Sequence, residues 1–92
     1  MICVDNMMPV IKVTGKWKWP ESCHLFSDCG DIGELHEFAE SIGLKRSWFQ
    51  DRGFPHYDIT KRKRELAIMR GALPVTRKEL VEAMKRCRVN GR

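Results

Sequence analysis

Apolar residues fall here into short runs closed by turn formers and into stretches with helical spacing. Ile2-Cys3-Val4, ended by Asp5-Asn6, and Cys23-His24-Leu25-Phe26-Ser27, ended by Asp28-Cys29-Gly30, read as strands. A helix follows. Asp31 and Glu34 have capping-box spacing, Ile32, Leu35, Phe38, Ala39 and Ile42 recur at i, i+3, i+4, and Gly43 fits the left-handed position beyond the end. Residues 45–55 form a connector in which Ser47 starts a single turn that sets Trp48 and Phe49 against the core. His56-Tyr57-Asp58-Ile59 is a third strand. Thr60 caps a second helix reaching about Arg70, with Leu66, Ala67 and Met69 inward and Gly71 as its stop. Ala72-Leu73-Pro74-Val75 is a fourth strand, placed at an edge by Pro74. Thr76 and Glu79 form another capping box, opening a third helix that buries Leu80, Val81, Met84 and Cys87, with fraying from Asn90. Within the irregular residues 6–21, Val10–Val13 reads as a short edge strand, and Trp17 and Trp19 alternate with Lys16 and Lys18, which puts both indoles on one face if extended.

Strands alternating with helices predict an α/β fold: a small sandwich of two or three layers, with a mostly parallel sheet of about four short strands and three helices, as one domain over residues 1–92. Ninety-two residues leave no room for a second core. With 42% hydrophobic and 32% charged residues the composition is that of a folded domain. No apolar run approaches the roughly 18 residues of a membrane span, and the opening Met1–Asp5 lacks the features of a secretory signal, so a cytoplasmic protein is expected. The four cysteines (Cys3, Cys23, Cys29, Cys87) include no Cys-x-x-Cys pair and read as free thiols; a zinc site of Cys23, Cys29 and a histidine is the poorer alternative.

Charge changes the picture. Residues 1–44 hold three basic and seven acidic residues, a net of −4; residues 45–92 hold fourteen basic and five acidic, a net of +9. So positive a half attracts polyanions: nucleic acid, a nucleotide or an acidic protein surface. A solvated basic surface without a ligand accounts for the same count. The densest cluster, Lys61-Arg62-Lys63-Arg64, fills the first turn of the second helix, where cations oppose the helix macrodipole and a bound phosphate would reverse the penalty. Trp48 and Phe49, beside Lys45, Arg46 and Arg52, offer a stacking platform for bases, although aromatics in a connector more often close the core.

In an open parallel sheet, sites gather beyond the carboxyl ends of the strands. Asp5, Asp28 and Asp58 are predicted at that edge as candidate metal ligands, with His24, His56 and Asp58 as candidate catalytic groups. Aspartates suit Mg²⁺ or Mn²⁺; added histidines suit Mn²⁺ or, less well, Zn²⁺. Such an ion activates water against a phosphodiester. The competing account gives each residue a local role: Asp5 in a turn, Asp28 in a helix cap, His24 in the core, His56 and Asp58 paired with each other. His36, beside the apolar stripe, reads as packing.

The ordered motifs Val4-Asp5-Asn6, Cys23–Asp28, Glu34-Leu35-His36, Trp48-Phe49-Gln50, His56–Ile59, Lys63–Ile68 and Gly71-Ala72 resemble domain-of-unknown-function family 4031, small proteins of bacteria and tailed phages. Residues 51–55 depart from it as an insertion before His56. The resemblance implies a phage or bacterial cytoplasmic protein and carries no activity. Three functions stay open: a module binding nucleic acid or a nucleotide, favoured by the counted charge; a metal-dependent phosphodiesterase or nuclease; and an inhibitor of a host protein, with Trp17 and Trp19 as anchors.

Overall fold

The computed structural model describes residues 1–9, 20–51 and 54–89, with side chains to Arg86. The strands are β1 (Ile2–Val4), β2 (Met8–Pro9), β3 (Glu21–Ser27), β4 (Phe49–Gln50), β5 (His56–Ile59) and β6 (Leu73–Pro74); the helices are α1 (Ile32–Ser41), α2 (Lys61–Met69) and α3 (Arg77–Val89), and a 3₁₀ turn spans Arg46–Trp48. The main path of the sheet is β4-β5-β3-β1-β6, and β2 pairs with β3 aside from it.

Local chemistry sets the helix ends. The Asp31 carboxylate accepts the Glu34 amide at 3.0 Å, Thr60 Oγ1 accepts the Lys63 amide at 3.3 Å, and Thr76 Oγ1 accepts the Glu79 amide at 3.2 Å while Glu79 reaches back to the Thr76 amide. Gly43, after α1, has φ +86° and Gly71, after α2, has φ +105°, both in the region where a side chain is strained.

The α/β class, three helices and the principal strands agree with the sequence, but the sheet is not mostly parallel and has six strands among the described residues. β1–β3, β2–β3, β3–β5 and β4–β5 are antiparallel, and only β1–β6 is parallel. The link from β1 to β3 contains no crossover helix among its described residues, and α1 does not lead to a neighbour of β3. It leads to β4, which runs in the same direction as β3; the chain then turns, and β5 inserts between them. A two-residue strand has no alternation to read, so β4 and β2 are silent in the sequence.

Alternation divides the two faces. Ile2, Val4, Cys23, Leu25, Tyr57 and Ile59 pack under α1 and α2 with Leu35, Ala39 and Ala67. Cys3 and Phe26 pack under α3 with Val75, Leu80 and Ala83. The sandwich therefore has three layers. Two inward assignments are corrected: Met69 is 82% exposed and Val81 is 40% exposed. Ala67 and the half-buried Leu66 and Ile68 face the core from α2, and Ala83 rather than Val81 follows Leu80 at i+3. The Val10–Val13 strand, Trp17 and Trp19 lie outside the described residues, as does the tail from Asn90.

Candidate metal centre

The antiparallel register brings distant residues into one row. Val4 pairs with Leu25, and His24 pairs with Asp58. One step beyond Val4, the Asp5 amide donates to the His24 carbonyl at 3.3 Å. Asp5, His24 and Asp58 thus stand side by side on β1, β3 and β5, on the face that carries α3, with His56 two residues before Asp58 on the same face.

Each imidazole is oriented by a partner on Nδ1. Asp5, 1% exposed, places Oδ2 2.7 Å from His24 Nδ1 and accepts the His24 amide on Oδ1 at 2.6 Å. His56 Nδ1 lies 2.8 Å from the Phe54 carbonyl, which only accepts. Both rings therefore carry the Nδ1 proton, and in their neutral form both have a bare lone pair on Nε2. Those two atoms converge on one carboxylate oxygen: Asp58 Oδ1 is 3.9 Å from His24 Nε2 and 3.6 Å from His56 Nε2. The other oxygen, Oδ2, is held at 2.5 Å by the Gln50 side-chain amide. The three ligand atoms lie within 4.8 Å of one another. A tetrahedral ion with bonds of about 2.0–2.2 Å sets its ligand atoms roughly 3.4 Å apart, close to this arrangement.

The surroundings match. Phe54 stacks on His56, with centroids 4.9 Å apart, and lies against His24 and Phe26, giving the site an apolar wall. The hydrogen bond that His24 donates to Asp5 raises the His24 pKa above its ordinary value; burial opposes this, the charges of Asp5 and Asp58 add to it, and Arg77 on α3 works against it.

The other expected site residues are placed elsewhere. Asp28 does not join the cluster. Because β3 runs against β1 and β5, its carboxyl end is the opposite end of the sheet, where Asp28 pairs with the Met1 ammonium at 3.0 Å. Asp5 joins it as the partner of His24, both of its oxygens being engaged. Of the basic turn, Lys63 Nζ donates to the Ile42 carbonyl at 2.7 Å and Arg64 Nε to the Asp5 carbonyl at 2.8 Å, so both tie elements together; Lys61 and Arg62 are exposed. Trp48 is 48% exposed with the Lys45 ammonium over its ring, whereas Phe49 packs against His36 and Tyr57. Cys23 is buried on the opposite face and Cys29 follows the far end of β3, so the two belong to no common site with His24. His36 is structural, its Nδ1 2.7 Å from the hydroxyl of the fully buried Tyr57.

Three participants escape the sequence. Gln50 sits in a strand too short to read. Phe54 acts through its carbonyl and ring, and Arg77 depends on where α3 crosses the sheet. Of these only Gln50 left a signal, as the polar residue closing Trp48-Phe49-Gln50.

A family model described as "Protein of unknown function (DUF4031)" matches residues 2–87. No curated protein and no solved structure matches the chain. Among the described residues, no helix is long and apolar enough to cross a membrane.

Proposed function

For a chain that belongs to DUF4031, a family of proteins of unknown function, we propose that His24, His56 and Asp58 bind one divalent transition-metal ion and that the ion cleaves a phosphate ester by hydrolysis. One observation carries this reading: two Nε2 lone pairs, each fixed by a partner on its Nδ1, face the free oxygen of a carboxylate whose other oxygen is hydrogen-bonded. A carboxylate or carbonyl behind each ligating histidine is the usual outer support of a metal site. Two nitrogens and one oxygen favour Zn²⁺, Mn²⁺, Co²⁺ or Fe²⁺ over the all-oxygen preference of Mg²⁺.

Three protein ligands leave coordination positions open for water and a phosphoryl oxygen. The ion lowers the pKa of its water toward neutrality. The resulting hydroxide adds to phosphorus, the P–O bond to the leaving alkoxide breaks, and the alkoxide takes up, through solvent, the proton that the water lost. The net charge of +9 over residues 45–92 supports an anionic substrate. The test is equilibrium dialysis with Mn²⁺, Co²⁺ and Zn²⁺, followed by hydrolysis of bis(p-nitrophenyl) phosphate by the loaded protein. One ion per chain and turnover lost in His56→Gln support the reading. No retained ion contradicts it.

A second reading, a binding module for nucleic acid or a nucleotide without chemistry, is favoured by Lys61 and Arg62, exposed at the start of α2. It predicts affinity that falls with salt and is indifferent to Asp58→Ala. The third, a host-protein inhibitor anchored by Trp17 and Trp19, concerns side chains outside the described residues.

A further inference from the structure

The end of the sheet that holds the metal ligands also receives the start of α3. Pro74 on β6 pairs with Val4, and the Val75 amide donates to the Val4 carbonyl at 2.8 Å, so Val75 stands level with Asp5 and His24. Two strand spacings, about 9–10 Å, separate β6 from β3. The helix then crosses the face that carries the site, with Leu80 and Ala83 over Cys3 and Phe26, and at its far end Arg86 reaches the Asp28 carbonyl at 3.4 Å. α3 therefore runs away from the metal ligands, and its first residue, Arg77, stands at the end of the sheet where they lie. Arg77 is exposed and has no hydrogen bond or ion pair among the described residues, and its charge is felt at His24.

This deepens the proposed function and rests on it: we propose that Arg77 is the anion clamp of the centre, its guanidinium holding a non-bridging oxygen of a phosphate group whose other oxygen binds the ion at His24, His56 and Asp58. A guanidinium matches the paired oxygens of a phosphate in shape as well as charge. The metal binds one oxygen, Arg77 another, and the phosphorus between them is turned toward the metal-bound water. The arrangement selects substrates by their phosphate.

The test uses the full chain loaded with Co²⁺, whose visible spectrum reports its ligands, titrated with inorganic phosphate and separately with dimethyl phosphate. Inorganic phosphate stands in for a terminal group and dimethyl phosphate for an internal diester; the tighter binder identifies which the site takes. Arg77→Ala is expected to weaken anion binding about tenfold or more while Co²⁺ binds as well as or better than before, because a cation near His24 has gone. Arg77→Lys restores part of the loss. Arg70→Ala, the same charge removed just past the C-terminal end of α2, leaves anion binding unchanged. Anion binding unaffected by Arg77→Ala, or Co²⁺ and anion weakened together, overturns the clamp alone. A chain that gives no Co²⁺ spectrum overturns both the clamp and the metal reading beneath it.

Discussion

Asp5 and His24 meet side chain to side chain and side chain to backbone at once: Oδ2 lies 2.7 Å from Nδ1, and Oδ1 accepts the amide of the same histidine at 2.6 Å. A buried carboxylate tied in this way costs desolvation that only good hydrogen bonds offset. The contact links the stability of the protein without metal to pH. His24 has a raised pKa, chiefly from the Asp5 hydrogen bond. The resulting stabilisation is complete below the unfolded value near 6.5 and is lost as pH rises through the higher folded value. His36 is shifted down, mainly by desolvation, and gives a slope of the opposite sign. The comparison is therefore wild type against Asp5→Asn. Urea midpoints measured from pH 5 to 9 should show an advantage for wild type that shrinks as pH rises, and a constant difference would contradict this.

Gln50 holds Asp58 so that Oδ1 faces the two histidines. Gln50→Leu removes that hold from an exposed side chain, so thermal stability should change little. Metal affinity should drop by about 10–100-fold, the usual effect of losing an outer partner of a metal ligand. Competition with a chromophoric chelator measures it.

The start of α2 divides into two pairs of cations. Lys63 and Arg64 bind backbone carbonyls of Ile42 and Asp5, whereas Lys61 and Arg62 face solvent. If the basic half binds nucleic acid, Lys61→Glu with Arg62→Glu should weaken capture of a labelled single-stranded oligonucleotide and flatten its dependence on log salt, each lost phosphate contact lowering the slope by about 0.7. The melting temperature should hold or rise, because acidic residues suit the first turn of a helix. Lys63→Met should instead lower stability by about 1 kcal/mol by orphaning the Ile42 carbonyl.

Gly43 combines φ +86° with a crowded position, where an added Cβ would stand 2.9 Å from Lys63 Nζ. Gly43→Ala should cost about 1–2 kcal/mol from the backbone alone and displace the lysine from its carbonyl. A guanidinium denaturation curve for Gly43→Ala in the Lys63→Met background separates the two effects.

Tyr57 is fully buried, and its hydroxyl meets His36 at 2.7 Å. Tyr57→Phe removes one hydrogen bond and leaves the His36 ring stacked edge-on to Phe49. The expected loss is about 0.5–1.5 kcal/mol, read from chemical denaturation.

Much of this organisation was legible in the residues. The caps at Asp31, Thr60 and Thr76, the glycine stops and the His56–Ile59 strand follow from local chemistry that acts within a few residues. His24, His56 and Asp58 were grouped by the carboxyl-edge rule of a parallel sheet, whereas it is the antiparallel register of β3 and β5 that sets His24 beside Asp58. Strand direction was not legible. It depends on which strands pair, and the two-residue β4, which lets β5 run back beside β3, carries no periodic signal. The misplacement of Asp28 follows directly, since reversing β3 moves its carboxyl end to the other side of the molecule. Asp5, read as a ligand, has both oxygens engaged by His24, a contact set by ångström-scale distances that no spacing encodes.

We propose one metal site at Nε2 of His24, Nε2 of His56 and Oδ1 of Asp58. Isothermal titration of the metal-free chain with Zn²⁺ tests it most directly. One ion per chain is expected, with proton release that grows as pH falls through the raised His24 pKa, and binding abolished in His24→Ala, His56→Gln and Asp58→Ala proteins that still fold. Zinc heats that are absent, or that persist unchanged in those three variants, would contradict it.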